Sequence, residues 1–107
     1  MNERIDNITW LAKWYGAQCD GDWEHSYGVT IETLDNPGWS IKVDLRDTDL
    51  EGKTLEPVAS NMAGSDGDAS QRWHHCKVEA DCFEGSGGVD DLTTMIGVFR
   101  DWAERSG

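Results

Sequence analysis

The chain is expected to fold as α+β: a single small domain, residues 1–107, in which an antiparallel sheet of about four strands carries helices contributed by both ends of the chain. Three observations predict this. Apolar residues recur at helical spacing near each end, apolar and polar residues alternate between them, and clusters of turn-forming residues interrupt the alternation. Strands met in succession and flanked by helices pair as hairpins with the helices on one face. A length of 107 residues suits one domain. Only 37% of the residues are hydrophobic, so the six tryptophans must supply much of the buried area.

Residues 7–19 place Ile8, Leu11 and Tyr15 on a stripe flanked by Trp10 and Trp14, the pattern of an amphipathic helix. Asp6 or Asn7 is suited to cap it and Gly21 to end it. From Tyr27 the period becomes two. Tyr27, Val29, Ile31 and Thr33 share one face, and Thr30 and Glu32 share the other. Asp35, Asn36, Pro37 and Gly38 form a turn cluster, after which Trp39, Ile41, Val43 and Leu45 alternate with Ser40, Lys42 and Asp44. A hairpin with one buried and one wet face follows, and Glu32 and Lys42 on the wet face are placed to hold its register.

Residues 46–53 are polar and acidic, and residues 55–59 suit a short strand that Pro57 directs to a sheet edge. Residues 61–70, rich in Gly, Ser and Asp, read as a mobile surface loop. Trp73, His75 and Lys77 then alternate with His74, Cys76 and Val78, and a turn at Ala80 and Asp81 returns the chain through residues 82–84. Trp39 and Trp73 are expected inward. Gly85, Ser86, Gly87 and Gly88 are expected to break the chain before a closing helix marked by Leu92, Met95, Ile96, Phe99 and Ala103, with Asp90 and Asp91 in its first turn.

Nine Lys and Arg against 21 Asp and Glu leave a net charge of −12. Such a surface repels phosphate backbones, which argues against nucleic acid, and steers a basic protein toward itself. No apolar run approaches the length that spans a bilayer, and the N-terminus lacks the blocks of a signal peptide, so a cytoplasmic, membrane-free protein is expected. Cys19, Cys76 and Cys82 are odd in number and lack C-x-x-C spacing, as free thiols in a reducing compartment would.

The block CDGDWEH holds Asp20, Asp22, Glu24 and His25 around Trp23, between the first helix and the hairpin. A polar loop carried by rigid elements is a common way to build a site. Calcium fails on spacing: a loop of the EF-hand type counted from Asp20 needs Gly and Glu where His25 and Ile31 stand. Zinc would have to gather Cys19, His25, His74, His75 and Cys76, yet adjacent strand residues point to opposite faces. A nucleophilic Cys19 is opposed by the acids that follow it, which favour the neutral thiol. The glycines at 85–88 lack the Lys and Ser or Thr of a phosphate loop. No metal or cofactor is therefore expected. The reading left is a contact surface of Asp20, Asp22, Trp23, Glu24 and His25, joined by Asp35, with Trp23 either an interface anchor or a plug at the edge of the core.

Residues 10–45 (WLAKWYGAQCDGDWEHSYGVTIETLDNPGWSIKVDL), 72–88 (RWHHCKVEADCFEGSGG) and 91–102 (DLTTMIGVFRDW) resemble the immunity protein 53 family of bacterial polymorphic toxin systems. The resemblance implies a non-enzymatic cytosolic antidote that binds and neutralises a cognate toxin. It carries over no catalytic residue. Charge then suggests a basic toxin whose active-site cleft the acidic loop occludes. The competing reading is a small cytosolic enzyme, or a metal- or ligand-binding protein, using Cys19, His25 or the His74/His75 pair.

Overall fold

A computed structural model describes residues 5–35, 37–60 and 73–106. Eight elements follow in the order α1 (Asn7–Gln18), α2 (Trp23–Ser26), β1 (Val29–Leu34), β2 (Gly38–Asp44), β3 (Val58–Ser60), β4 (His74–Glu79), β5 (Cys82–Gly87) and α3 (Leu92–Ser106). The strands form one antiparallel sheet in the order β1-β2-β5-β4-β3. The α+β class stands, with five strands where about four were expected. The added strand is the short one foreseen near residues 55–59: it starts after Pro57, at Val58, and takes the edge beside β4. The loop expected over residues 61–70 lies outside the described residues.

Asp6 starts α1, its Oδ1 accepting the Thr9 N–H at 2.7 Å. The helix stops at Gln18, short of the expected residue 19, because Cys19 is extended; Gly21, at φ 97°, comes two residues later. The buried stripe is rotated from the expected one. Leu11 is buried and Trp10 and Trp14 pack against the core, while Ile8 and Tyr15 are 50% and 38% exposed. Aromatic bulk decides this, since Phe99 holds the Trp10 and Trp14 rings edge-on at 5.7 and 5.1 Å.

The first hairpin runs in register from Val29 opposite Val43 to Leu34 opposite Gly38. Thr30 therefore faces Lys42 directly, and Glu32 lies diagonal to it. The expected buried face is divided unevenly. Ile41 and Val43 are fully buried, but Ile31 is 38% exposed. The reason is reach: α3 lies across β5, β4 and β2, which leaves β1 at the rim.

Gly85 and Gly87 lie inside β5 and do not break the chain. A Cβ on Gly85 would sit 3.0 Å from Ile41 Cγ2 and 3.1 Å from Met95 Sδ, and one on Gly87 would meet the Trp73 carbonyl and Met95. The bare backbone is thus the seat that lets α3 lie close on the sheet. Gly38 is just as confined, because a Cβ there would strike the Gly87 carbonyl oxygen. Trp73 is half-buried and is not among the side chains packed against the core. By alternation it belongs with His75 and Lys77, on the face away from the helices.

The turn between β4 and β5 places Ala80 at φ 55° and Asp81 at φ 59°. Two left-handed residues joining Glu79 to Cys82 twist as a hairpin requires, although a Cβ at Ala80 resists that conformation. In α3, Met95, Ile96, Phe99 and Ala103 are buried as expected, Leu92 is only half-buried against the core, and Trp102 joins the buried face. Asp90 and Asp91 precede the first helical turn, and the Asp91 carbonyl accepts the Met95 N–H at 3.0 Å. Arg100 is buried as well. Its Nη1 donates to the Ile5 carbonyl at 2.7 Å and to Asn7 Oδ1 at 3.2 Å, and its guanidinium lies over the Trp10 ring. Asn7 donates in turn to the Thr93 carbonyl at 2.9 Å. These polar bonds clamp α1 to α3.

Two stability predictions follow from the packing. Phe99→Ala removes a side chain touched from the sheet and both long helices, and should destabilise by roughly 3–5 kcal/mol, read as a lower urea midpoint at constant slope. Ala80→Gly should raise stability by about 1 kcal/mol, several degrees in thermal midpoint, because glycine accepts positive φ without the Cβ conflict.

Candidate functional site

Local hydrogen bonding shapes the acidic segment more tightly than a solvated loop. Asp20 Oδ1 accepts the N–H groups of Asp22 at 2.9 Å and Trp23 at 3.0 Å, which closes the turn into α2. Glu24 reaches back from the first turn, its Oε1 accepting from Asp20 N at 3.0 Å and its Oε2 from Gly21 N at 2.9 Å. The arrangement is a reciprocal cap in which two carboxylates satisfy four backbone donors between them. The bonds from Trp23 and then Asp22 hold the Asp20 carboxyl below its ordinary value of 3.8.

Trp23 is the pin of this turn. Its ring is 4% exposed, and it meets Trp14 and Tyr15 edge-on at 6.2 and 5.9 Å and Tyr27 at 6.1 Å. Its Nε1 donates to the Arg46 carbonyl at 2.8 Å. Of the two roles considered for it, the ring takes the place of a core plug, not that of an exposed anchor. Asp22 and His25 are exposed. Asp35 is also exposed, but it occupies the turn at the far end of β1, six residues at about 3.3 Å each from where that strand begins.

The structure gathers other acids around residues 20–25. Gly28 N donates to Asp44 Oδ2 at 2.9 Å, Leu45 N to the Asp81 carbonyl at 2.9 Å, and Gly52 N to Asp81 Oδ1 at 2.9 Å. Three connections therefore meet at one end of the sheet. They bring Asp44, Asp47, Asp49, Glu51 and Asp81 to the end that holds Asp20, Asp22 and Glu24, against two bases, Arg46 and Lys53. Asp47, Asp49 and Glu51 are exposed. Their place was implicit in the hairpin: if Val29 opposes Val43, the residues after 44 must run back beside those before 28. An open groove of about 210 Å³ lies next to this end, with a floor of Trp10, Trp14 and Leu50 and a rim of Asp49 and Glu104.

The remaining candidate residues are dispersed. Cys19 caps α1 and donates its thiol to the Tyr15 carbonyl at 3.3 Å. Burial pushes the Cys76 thiol up to about 12, away from the thiolate that nucleophilic chemistry needs. His74 and His75 pair with Gly87 and Ser86 and so take opposite faces of the sheet. Among the described residues, no three His, Cys, Asp or Glu side chains converge as metal ligands, and no helix is long and apolar enough to cross a membrane.

Fold and site together define a small acidic α+β domain whose surface chemistry is that of carboxylates held on a hydrogen-bonded frame. The chain belongs to the immunity protein 53 family, whose model matches residues 8–104. Membership supports an immunity function and implies a cognate toxin as partner. No curated protein and no solved structure matches the chain.

The Asp20 cap has a defined pH signature. A carboxylate whose folded pKa is lowered contributes stability that is complete above its ordinary value and is lost as pH falls through the lowered one. Asp20→Ala should therefore loosen the turn at neutral pH, and stability should fall less steeply below pH 3.8 than in the wild type. The Trp23 indole N–H resonance, followed by NMR during acid titration, reads the turn directly.

Proposed function

We propose that this immunity protein neutralises a basic toxin by laying its acidic end over a positively charged site on that toxin. The observation that supports the reading most is the convergence of three connections, carrying exposed Asp22, Asp47, Asp49 and Glu51, on one end of a domain with net charge −12. Long-range attraction to such an end accelerates encounter with a cationic protein, and the aligned carboxylates then take the place of the anionic groups its cleft would bind. Asp20 and Glu24 act from within, fixing the turn through their backbone bonds. With Trp23 buried, apolar contact falls to the neighbouring groove. Its Trp10, Trp14 and Leu50 floor suits the methylene stem of a lysine or arginine, and Asp49 on the rim suits the charged head.

Asp22 and Asp49 are exposed, so their reversal should spare the fold. The Asp22→Lys/Asp49→Lys double variant should associate with the toxin domain encoded beside this chain's gene roughly tenfold more slowly at low salt. The deficit should narrow as ionic strength rises. Unchanged association by a folded double variant would place the contact elsewhere.

A further inference from the structure

The edge of the sheet at β1 is unguarded, and its backbone geometry can be read residue by residue. Asp44 N donates to the Gly28 carbonyl at 3.0 Å, which makes Gly28 and Asp44 a hydrogen-bonded pair of the antiparallel ladder. Such pairs alternate along a hairpin. In the register Val29 opposite Val43, residues 30, 32 and 34 therefore bond across to β2, while Val29, Ile31 and Thr33 turn their N–H and C=O groups outward. Among the described residues nothing pairs with that side, since β1 is the terminal strand of the sheet.

Sheets ordinarily blunt such an edge by shortness, proline, lysine or a bulge. The opposite edge strand, β3, has only three residues. β1 has six, VTIETL, four of them β-branched, with no proline, no lysine and an unbroken register along its length. The Ile31 side chain, 38% exposed, stands on the helix side of the sheet beyond the cover of α3. An incoming strand would cover it.

Charge says what kind of strand would fit. Acidic residues stand at both ends of the edge, Asp22 before it and Asp35 after it, with Glu32 between them. Asp22 and Asp35, which lie apart in the fold, thus fall toward opposite ends of the strand. We infer that β1 receives an extended segment of the toxin as a sixth strand, β-branched or apolar in its centre and flanked by lysine or arginine. Main-chain bonds to Val29, Ile31 and Thr33 supply the attachment, and the terminal acids supply the polarity. A second copy of this chain is the less suitable occupant, because pairing β1 with itself would bring two domains of charge −12 together. This inference rests on the proposal that the partner is a basic toxin.

Ile31→Pro tests it with little damage to the ladder. The outward N–H at residue 31 is the only backbone donor removed, and edge strands accept proline where the N–H faces solvent. Ile31→Thr serves as the companion, keeping the donor while trimming the side chain. With the neighbouring toxin domain as probe, Ile31→Pro should weaken binding by at least about tenfold, and Ile31→Thr by clearly less. In the wild-type complex, hydrogen exchange should slow at the amides of Val29, Ile31 and Thr33. Full affinity in a folded Ile31→Pro variant, or protection confined to residues 20–25 and 44–51, would overturn the strand addition and leave the acidic contact standing. Absence of any complex with the wild type would overturn both. A dimer of the wild-type chain alone that Ile31→Pro dissolves would name a second copy as the occupant and overturn the toxin strand.

Discussion

Phe99 is the contact on which the rest of the structure depends. It is fully buried, and its ring lies 5.0 Å from Phe83 in β5, 5.1 Å from Trp14 and 5.7 Å from Trp10 in α1, and 6.1 Å from Trp102 in α3. One side chain thereby joins the sheet and both long helices. From Trp14 the chain of rings continues through Trp23 to Tyr27, so the acidic turn is tied to the centre of the domain by contacts of about van der Waals reach. This aromatic succession runs beside the aliphatic side chains of Leu11, Ile41, Val43, Leu45, Leu50 and Ile96, and it makes the position of the turn a consequence of core packing.

Three tryptophans also act at their polar edges. The indole N–H of Trp23 holds the Arg46 carbonyl, that of Trp39 the Val89 carbonyl at 3.0 Å, and that of Trp102 the Thr54 carbonyl at 2.9 Å. Each ring contributes apolar area on one side and satisfies a connection's backbone on the other. The consequence is electrostatic as much as steric. Carboxylates crowded at one end repel one another, and connections that carried them loosely would spread apart. Indole bonds to residues 46 and 54 fasten the acidic segment between them at both ends.

Much of the fold was legible because its signals are local. The two hairpins, the Asp6 cap, the turn at Ala80 and Asp81 and most of the buried face of α3 appear in the structure near where the residues indicated, although β1 starts at Val29 and not at Tyr27 and β5 runs on to Gly87. What was not legible depends on partners distant in sequence. Gly85 and Gly87 resemble a chain break until Met95 is known to lie on them. Arg100 resembles a surface base until it reaches Ile5 and Asn7, some 95 positions away. The side of α1 that turns inward was settled by Phe99, not by the stripe of Ile8, Leu11 and Tyr15. The acidic turn was recognisable as a feature, but its internal roles were not: a carboxylate bound to backbone N–H groups and one facing solvent look alike in a sequence.

The unguarded edge and the net charge bear on each other. A six-residue edge with outward amides invites indiscriminate pairing, and most proteins block it locally. Here the only charged side chain on the strand is Glu32, so local blocking is weak and any protection must come from the whole surface. A charge of −12 supplies it selectively. It holds off other copies of the chain and acidic proteins at a range of about 10 Å, while drawing basic ones in. For the basic toxin proposed above, the same carboxylates that steer it would keep the edge vacant until it arrives. On this view the acidity is a property of the binding mechanism as a whole, and the discrimination between partners is made by charge before any strand has paired.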